Sequence, residues 1–326
     1  CEPPAQRAVT VAPATASDFS STTVPLAILA FVPCAGLDAT AINKARSTTN
    51  LFFVLLAIMT VFLCSVLDRS FLFGDGVYEV IPARGGRARG LPTNLARLAG
   101  SLAQARIPNP HSSSGWTRLV EQLIAANGGG NVSVYLQVSR GAEFGRNHAP
   151  PAGLAPLVFG FCAPLPLPSA ELLERGVACI TAVDTRWGRC DIKSVSLLAN
   201  VLLRWQAADA GAAETILLRE GMLTEASAAS VCVIVGGQIR TPPQSAQLLP
   251  GTTRDLVEEL ADRHGIARRA VPISEHELRA ADEVWLTAAT RGAIAVTRID
   301  GAPVGDGRPG PLWRRMHALL EAYWAH

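Results

Sequence analysis

The chain has 326 residues, 49% of them hydrophobic, which is enough for two domains with cores of their own and excludes a disordered protein. Its formal net charge of +2 comes from 29 basic and 27 acidic residues scattered along the chain, so no nucleic-acid surface is implied and the expected partner is a small molecule. Seven cysteines, odd in number and irregularly spaced without a C-x-x-C pair, and six dispersed histidines argue for a reducing compartment and against a structural metal.

The first residues do not read like the rest. Glu2 to Thr23 is rich in Ala, Pro, Ser and Thr, which favours a disordered or poorly packed leader. Ser47 to Leu67 carries no charge, and its apolar run is a membrane-span candidate with Lys44 and Arg46 on its N-terminal side. A buried strand or helix is the favoured alternative, because the run ends against the motif that begins at Asp68 and leaves no linker. Met59-Thr-Val-Phe-Leu63 looks like a natural start, so residues 1–58 are taken as an atypical leader.

From Asp68 the pattern is that of a compact α/β protein. Val77 to Ile81 reads as a strand after Gly74-Asp75-Gly76, and Leu95, Leu98, Leu102 and Ala105 form a helical stripe capped by Thr93 or Asn94. A second helix runs from about Trp116 to Asn127, where three glycines stop it, and Val132, Val134, Leu136 and Val138 alternate as in a half-buried strand. Three prolines between Cys162 and Ser169 can continue neither helix nor central strand, which places a linker at residues 165–169 between a small domain over 59–164 and a large one over 170–326. In the large domain Val177 to Ala182 is a predicted strand. Val195, Leu198, Leu202 and Trp205 give a helix an apolar stripe, with Lys193 at its entrance. Val231 to Arg240 is a hairpin around Gly236-Gly237, Leu256 to His264 a helix closed by Gly265, and Leu312 to Trp324 the last helix.

Among the 29 basic residues only Lys44 and Lys193 are lysines. Arginine replaces a solvated lysine readily, but a guanidinium can neither condense with an aldehyde nor give up its proton, so a retained lysine is a candidate Schiff-base or general-base amine. A leftover surface lysine is the plainer alternative. Leu249-Pro-Gly-Thr-Thr-Arg254 leads into a helix, where glycine, two hydroxyls and free N–H groups suit a phosphate as well as they suit ordinary capping. A phosphorylated aldehyde cofactor needs both an amine and such a cradle. A pyridoxal ring also needs a carboxylate at its nitrogen, for which Glu225 in Met222-Leu-Thr-Glu-Ala-Ser227 is the candidate and an exposed turn glutamate the alternative.

Ser65-Val-Leu-Asp-Arg-Ser-Phe-Leu-Phe-Gly-Asp-Gly-Val-Tyr-Glu-Val80, Trp187-Gly-Arg-Cys-Asp-Ile-Lys193, Leu223-Thr-Glu225 and Leu249-Pro-Gly-Thr-Thr-Arg254 together resemble the fold-type IV (class IV) pyridoxal-phosphate enzymes. Tyr135-Leu-Gln-Val-Ser-Arg-Gly141 followed by Arg146-Asn-His148 is similar to the D-amino-acid transaminase branch. The resemblance implies a two-domain α/β (α+β) fold, a small domain beside a larger mixed-sheet domain with pyridoxal 5'-phosphate between them. It further implies a cytoplasmic homodimer with shared active sites that moves an amino group from a D-amino acid to a 2-oxo acid, such as D-alanine and 2-oxoglutarate. On this reading Lys193 carries the cofactor as a Schiff base and then moves the proton between substrate Cα and cofactor C4′. Glu225 pairs with the ring nitrogen, Arg97, Thr252, Thr253 and Thr290 hold the phosphate, and Tyr78, with Arg146 and His148 of the neighbouring subunit, holds the substrate carboxylate. Tyr135 is a further substrate-binding candidate.

The sequence departs from the family pattern at Asn94, where histidine is usual, and at Ala226 and Ser230, where glycine and asparagine are usual. Val61-Phe-Leu63 resembles the first strand of the family, but the turn and second strand that should precede Ser65 are missing, which implies an incomplete edge of the small domain. Branched-chain aminotransferase and aminodeoxychorismate lyase are the alternative activities. An inactive relative, membrane-anchored through 47–67 or poorly folded, is the alternative of another class.

Overall fold

In a computed structural model, residues 65–325 are described, and they fall into two units. The uncharged run from Ser47 and the strand expected at Val61-Phe-Leu63 lie outside the described residues apart from Ser65–Leu67. No helix among the described residues is long and apolar enough to cross a membrane.

The first unit comprises residues 65–165 together with Ser194–Ser196. Its first helix, α1 (Arg69–Phe73), is capped by Asp68, which accepts from the Ser70 N–H at 2.8 Å, and it ends at Gly74 with φ of 67°. A Cβ at Gly74 would lie 2.3 Å from the Ser196 hydroxyl, so glycine is required there for space as well as for backbone. The strand β1 (Gly76–Arg84) follows, then the short β2 (Arg87–Ala88), α2 (Leu91–Gln104), α3 (Ser113–Ala126), β3 (Val132–Ser139) and β4 (Leu157–Pro164). They form an antiparallel sheet in the order β2-β1-β3-β4. Alternation sends Val77, Glu79 and Ile81 of β1 and Val134, Leu136 and Val138 of β3 to one buried face. The apolar stripes of α2 (Leu95, Leu98, Leu102) and α3 (Leu119, Val120, Leu123) are buried as well. The helix α2 starts earlier than the expected cap at Thr93 or Asn94. Pro92 presets the first turn, and the buried Asn94 amide donates to the Gly90 carbonyl at 2.9 Å from inside the helix. Pro164 ends β4, an edge strand, where a missing N–H leaves no ladder bond unmade.

The second unit comprises the described residues of 166–193 and 197–325. It runs α4 (Ala170–Arg175), β5 (Val177–Val183), α5 (Leu198–Asp209), β6 (Glu214–Arg219), β7 (Met222–Ala226), β8 (Ser230–Val235), β9 (Gln238–Thr241), α6 (Thr252–Arg263), β10 (Arg268–Ala270), α7 (Glu275–Arg279), β11 (Glu283–Ala288), β12 (Gly292–Ile299), β13 (Ala302–Pro303) and α8 (Pro311–Ala325). The strands build a mixed sheet in the order β10-β9-β8-β11-β12-β5-β6-β7, with β13 on β12. Both faces are covered, so its central strands are apolar on both sides. Val231, Val233, Val284 and Leu286 join Ile216, Leu223 and Leu278 on one side, while Cys232, Ile234 and Trp285 meet Val257 and Leu260 of α6 and Trp313, Met316 and Leu320 of α8 on the other.

One expected packing is reversed. The helix after Lys193 begins at Leu198, leaving Val195 outside it, and the stripe read as its buried face is exposed: Leu198 72%, Leu202 56% and Trp205 65%, with Val201 at 47% beside them. The helix instead buries Leu203 and Ala207, and the Thr215 hydroxyl of β6 donates to the Leu203 carbonyl at 2.7 Å. Periodicity identifies an apolar face but carries no information on what covers it.

Candidate active site

In the second unit Lys193 does not stand at a helix entrance. It is a half-buried residue of the irregular stretch between β5 and α5, where the Asp191 N–H donates to the Ala246 carbonyl at 3.2 Å. Ser194–Ser196, the next residues along the chain, belong to the first unit, where Val195 donates to the Gly76 carbonyl at 3.0 Å.

Glu225 is not an exposed turn residue. It lies on β7 and is 4% exposed. Its carboxylate accepts from the Leu249 N–H at 3.2 and 3.3 Å and is ion-paired with Arg186. Arg186 in turn grips Asp184 through Nε and Nη2, both at 2.9 Å, and Asp184 also accepts from the Thr224 hydroxyl at 3.0 Å and pairs with Arg219 at 3.2 Å. Two carboxylates and two guanidinia therefore alternate in a row, buried except at its half-buried end, Arg219. Burial pushes the Glu225 carboxyl above its ordinary range, opposed by the Arg186 charge and hydrogen bond and by the Leu249 N–H. Asp184 feels burial too, but its bonds to Arg186 prevail and hold it below the usual carboxylate range. Removing one member of such a row leaves an uncompensated buried charge, at a cost of about 3–5 kcal/mol. Neither Asp184 nor Arg186 was identified from the sequence, because in a chain whose cations are nearly all arginine one more arginine carries no signal.

The start of α6 gathers the other polar groups of this unit. Gly251 occupies its N-cap with no side-chain cap bond, followed by Thr252 and the buried Thr253. A Cβ at Gly251 would lie 2.4 Å from the Ser230 hydroxyl, so the close approach of these segments depends on glycine. Ser230 stands opposite Thr287 in the β8–β11 ladder, and the Thr287 hydroxyl is buried without a hydrogen-bond partner. An orphaned hydroxyl in that position is unusual in a folded interior and fits a site built to donate to a bound anion. Thr290 lies half-buried in the turn after β11. Arg254 is structural, with Nε on Glu258 at 2.8 Å and Nη2 on the Thr241 hydroxyl at 2.9 Å.

In the first unit the expected residues divide between the faces of the sheet. Tyr78 and Tyr135 share one face and stack at 5.6 Å, with Phe161 5.0 Å from Tyr135 and the Tyr135 hydroxyl donating to Gln137 at 2.8 Å. Burial, with a smaller contribution from Tyr78, pushes the Tyr135 phenol up to about 12, so it stays a neutral donor. Arg97 of α2 sits toward the opposite face, where its Nε donates to the fully buried Glu79 at 2.9 Å and its Nη2 bonds the second carboxylate oxygen at 2.5 Å. Arg146 and His148 lie on the exposed loop between β3 and β4 and gather on Phe73: the Arg146 guanidinium carbon is 5.0 Å from the ring centroid, and the His148 ring is 5.4 Å away.

Comparison with known proteins places the chain in a family. The profile of the family described as Amino-transferase class IV matches residues 76–299. The chain is 39% identical over 254 residues to a D-alanine aminotransferase of Bacillus licheniformis, covering 78% of this chain and 89% of the relative. It is 36% identical over 252 residues to a D-alanine aminotransferase of Listeria monocytogenes, covering 77% and 87%. Among solved structures, the branched-chain amino acid aminotransferase from Escherichia coli shares the fold, with a TM-score of 0.72 at 24% identity, covering 79% of this chain and 88% of that one.

Proposed function

The chain belongs to the class IV aminotransferase family, and from that premise we propose that it transfers the amino group of a D-amino acid, D-alanine foremost, to a 2-oxo acid such as 2-oxoglutarate with pyridoxal 5'-phosphate as cofactor. When bound, the cofactor supplies an aldehyde that condenses with amines and a ring that withdraws electrons from the substrate carbon. The observation that carries the reading is the Glu225 carboxylate, buried yet pinned by Arg186 and the Leu249 N–H, which suits a partner for a protonated ring nitrogen. The orphaned Thr287 hydroxyl beside Ser230 and Gly251 supports a phosphate at the start of α6, where Thr252 and Thr253 would donate, with Thr290 as a further ligand. Arg97, whose Nε and Nη2 bond Glu79, is assigned to the phosphate by the family resemblance alone.

On this assignment the other residues act as follows. Lys193 is the amine that holds the cofactor and afterwards takes the proton from substrate Cα, a task no arginine performs at neutral pH. Tyr78, Arg146 and His148 bind the substrate carboxylate, Arg146 through its planar fork. Tyr135, stacked on Tyr78, fixes that ring. A second copy of the chain is the partner, supported by the exposed apolar face of Leu198, Val201, Leu202 and Trp205, which is larger than a lone surface residue and calls for a cover. A cytoplasmic setting suits the buried free thiols of Cys162, Cys179, Cys190 and Cys232.

The deciding experiment is a half-reaction followed through the visible band of the bound cofactor. D-alanine should bleach it rapidly and L-alanine at least ~100-fold more slowly, a ratio of about 2.7 kcal/mol between diastereomeric transition states. Faster bleaching by L-leucine would favour a branched-chain aminotransferase. Within the same assay Glu225→Gln should leave the cofactor bound but slow bleaching by at least ~10-fold, because a neutral amide does not keep the ring nitrogen protonated. An unchanged rate would return Glu225 to a purely structural pairing with Arg186.

A further inference from the structure

We propose that Arg69 is the positioning residue that fixes the loop carrying Arg146 and His148, and that it thereby sets the affinity for the substrate carboxylate; this rests on the reading of that loop as carboxylate-binding. The segment between β3 and β4, residues 140–156, has almost no regular structure, and Phe144 through Pro151 are exposed. A loop of this length with few apolar contacts is expected to sample many conformations unless something holds it. Arg69 does so from below. It is 2% exposed and carries most of its bonding toward the loop: its N–H donates to the Gly141 carbonyl at 2.9 Å, its Nη1 to the Asn147 carbonyl at 2.7 Å and its Nη2 to the His148 carbonyl at 3.0 Å, and Nη1 is also paired with Glu143. One guanidinium thus grips the chain on both sides of Arg146.

The other end of this arrangement is equally fixed. The Arg69 Nε bonds Asp75 at 2.8 Å, and Arg140 at the base of the loop bonds the same carboxylate through its own Nε at 2.8 Å. The Arg69 guanidinium carbon stands 4.6 Å from the centroid of the Phe73 ring that Arg146 and His148 also approach. Charge, aromatic face and carbonyl bonds therefore converge on one side chain, and the backbone that carries the two groups read as the carboxylate trap is tied to its fork at Asn147 and His148. Only arginine has donors in the required directions; a lysine ammonium would keep the charge for Asp75 but could not reach both carbonyls. Positioning of this kind acts on substrate binding, because a trap sampling many positions loses orientation on every encounter.

The test uses the full chain with cofactor bound, as the parent, Arg69→Lys and Glu143→Gln. In Arg69→Lys the KM values for the D-amino acid and the 2-oxo acid should both rise by about 10-fold or more while kcat falls by less than about threefold, the split expected for lost carboxylate binding. The visible band and the affinity for cofactor should stay those of the parent. Trypsin cleavage after the exposed Arg146, read by mass spectrometry, should accelerate by roughly 10-fold as the loop is released. Glu143→Gln removes one ion pair and leaves the carbonyl bonds in place, so it is the milder variant to read where Arg69→Lys fails to fold, and it should move KM and cleavage the same way by about threefold. KM and cleavage within about twofold of the parent in a folded variant overturn the proposal, as does a parallel loss of kcat and cofactor, which would make Arg69 a general support of its unit. If the parent processes neither enantiomer of alanine, the carboxylate reading fails on that result alone, while the cleavage comparison still upholds or overturns the anchor.

Discussion

Replacing Lys193 by alanine is expected to abolish the visible band of the bound cofactor and to lower transamination by at least ~1,000-fold, within the range that positioned acid–base groups and covalent attachment contribute. The expectation is sharp because of composition. Lys44 is the only other lysine in the chain, so no neighbouring amine along residues 65–325 can take over. The scaffold should tolerate the change: Lys193 is half-buried in an irregular stretch rather than packed in a sheet or helix, so the variant should keep the thermal unfolding midpoint of the parent to within a few degrees. Absorbance and borohydride trapping of the cofactor measure the outcome, and a cofactor still trapped covalently in Lys193→Ala would remove Lys193 from the site and the proposed chemistry with it.

How much of this was legible beforehand depended on whether a residue stood out from its background. Lys193 did, because arginine occupies nearly every other basic position. Glu225 was noticed as a carboxylate but not as a buried one, since its burial comes from β7 pairing with β6 and from the contact with Leu249, neither of which is local. Arg186 and Asp184 were invisible for the converse reason: each looks like an ordinary surface charge until the fold closes over them. Arg69 lies within the Ser65–Val80 motif, yet its partners Asn147 and His148 are more than seventy positions away. The strands β1, β3, β8 and β9 were readable from alternation and turn residues, because those signals are written within a few residues of one another. The exposure of α5 was not, because the same stripe of Leu198, Leu202 and Trp205 would serve a core or an interface.

That exposed stripe, the loop held by Arg69 and the family resemblance lead to the second large effect. Lys193→Ala and Arg146→Ala, each inactive or severely impaired as a homodimer, should regain activity when mixed, unfolded and refolded together, up to about half of the parent value per heterodimer. The reasoning counts sites. If each site takes Lys193 from one chain and Arg146 from the other, one site of the mixed dimer inherits both lesions and the other inherits neither. The sharing is what the family resemblance implies; on this chain residues Arg146 to His148 are exposed, anchored to Arg69 and Phe73 of their own unit, and so open on their outer side to a neighbour. Replacing Leu202 and Trp205 by serine should weaken the dimer if α5 forms the contact, and complementation should fall in proportion to the heterodimer that remains, since association is governed by a few large apolar anchors. Sedimentation establishes how much heterodimer is present. Restored activity that tracks its amount supports sharing, whereas heterodimers that form without restoring activity would assign Arg146 to its own chain's site and leave the outward loop with no role in trapping a neighbour's substrate.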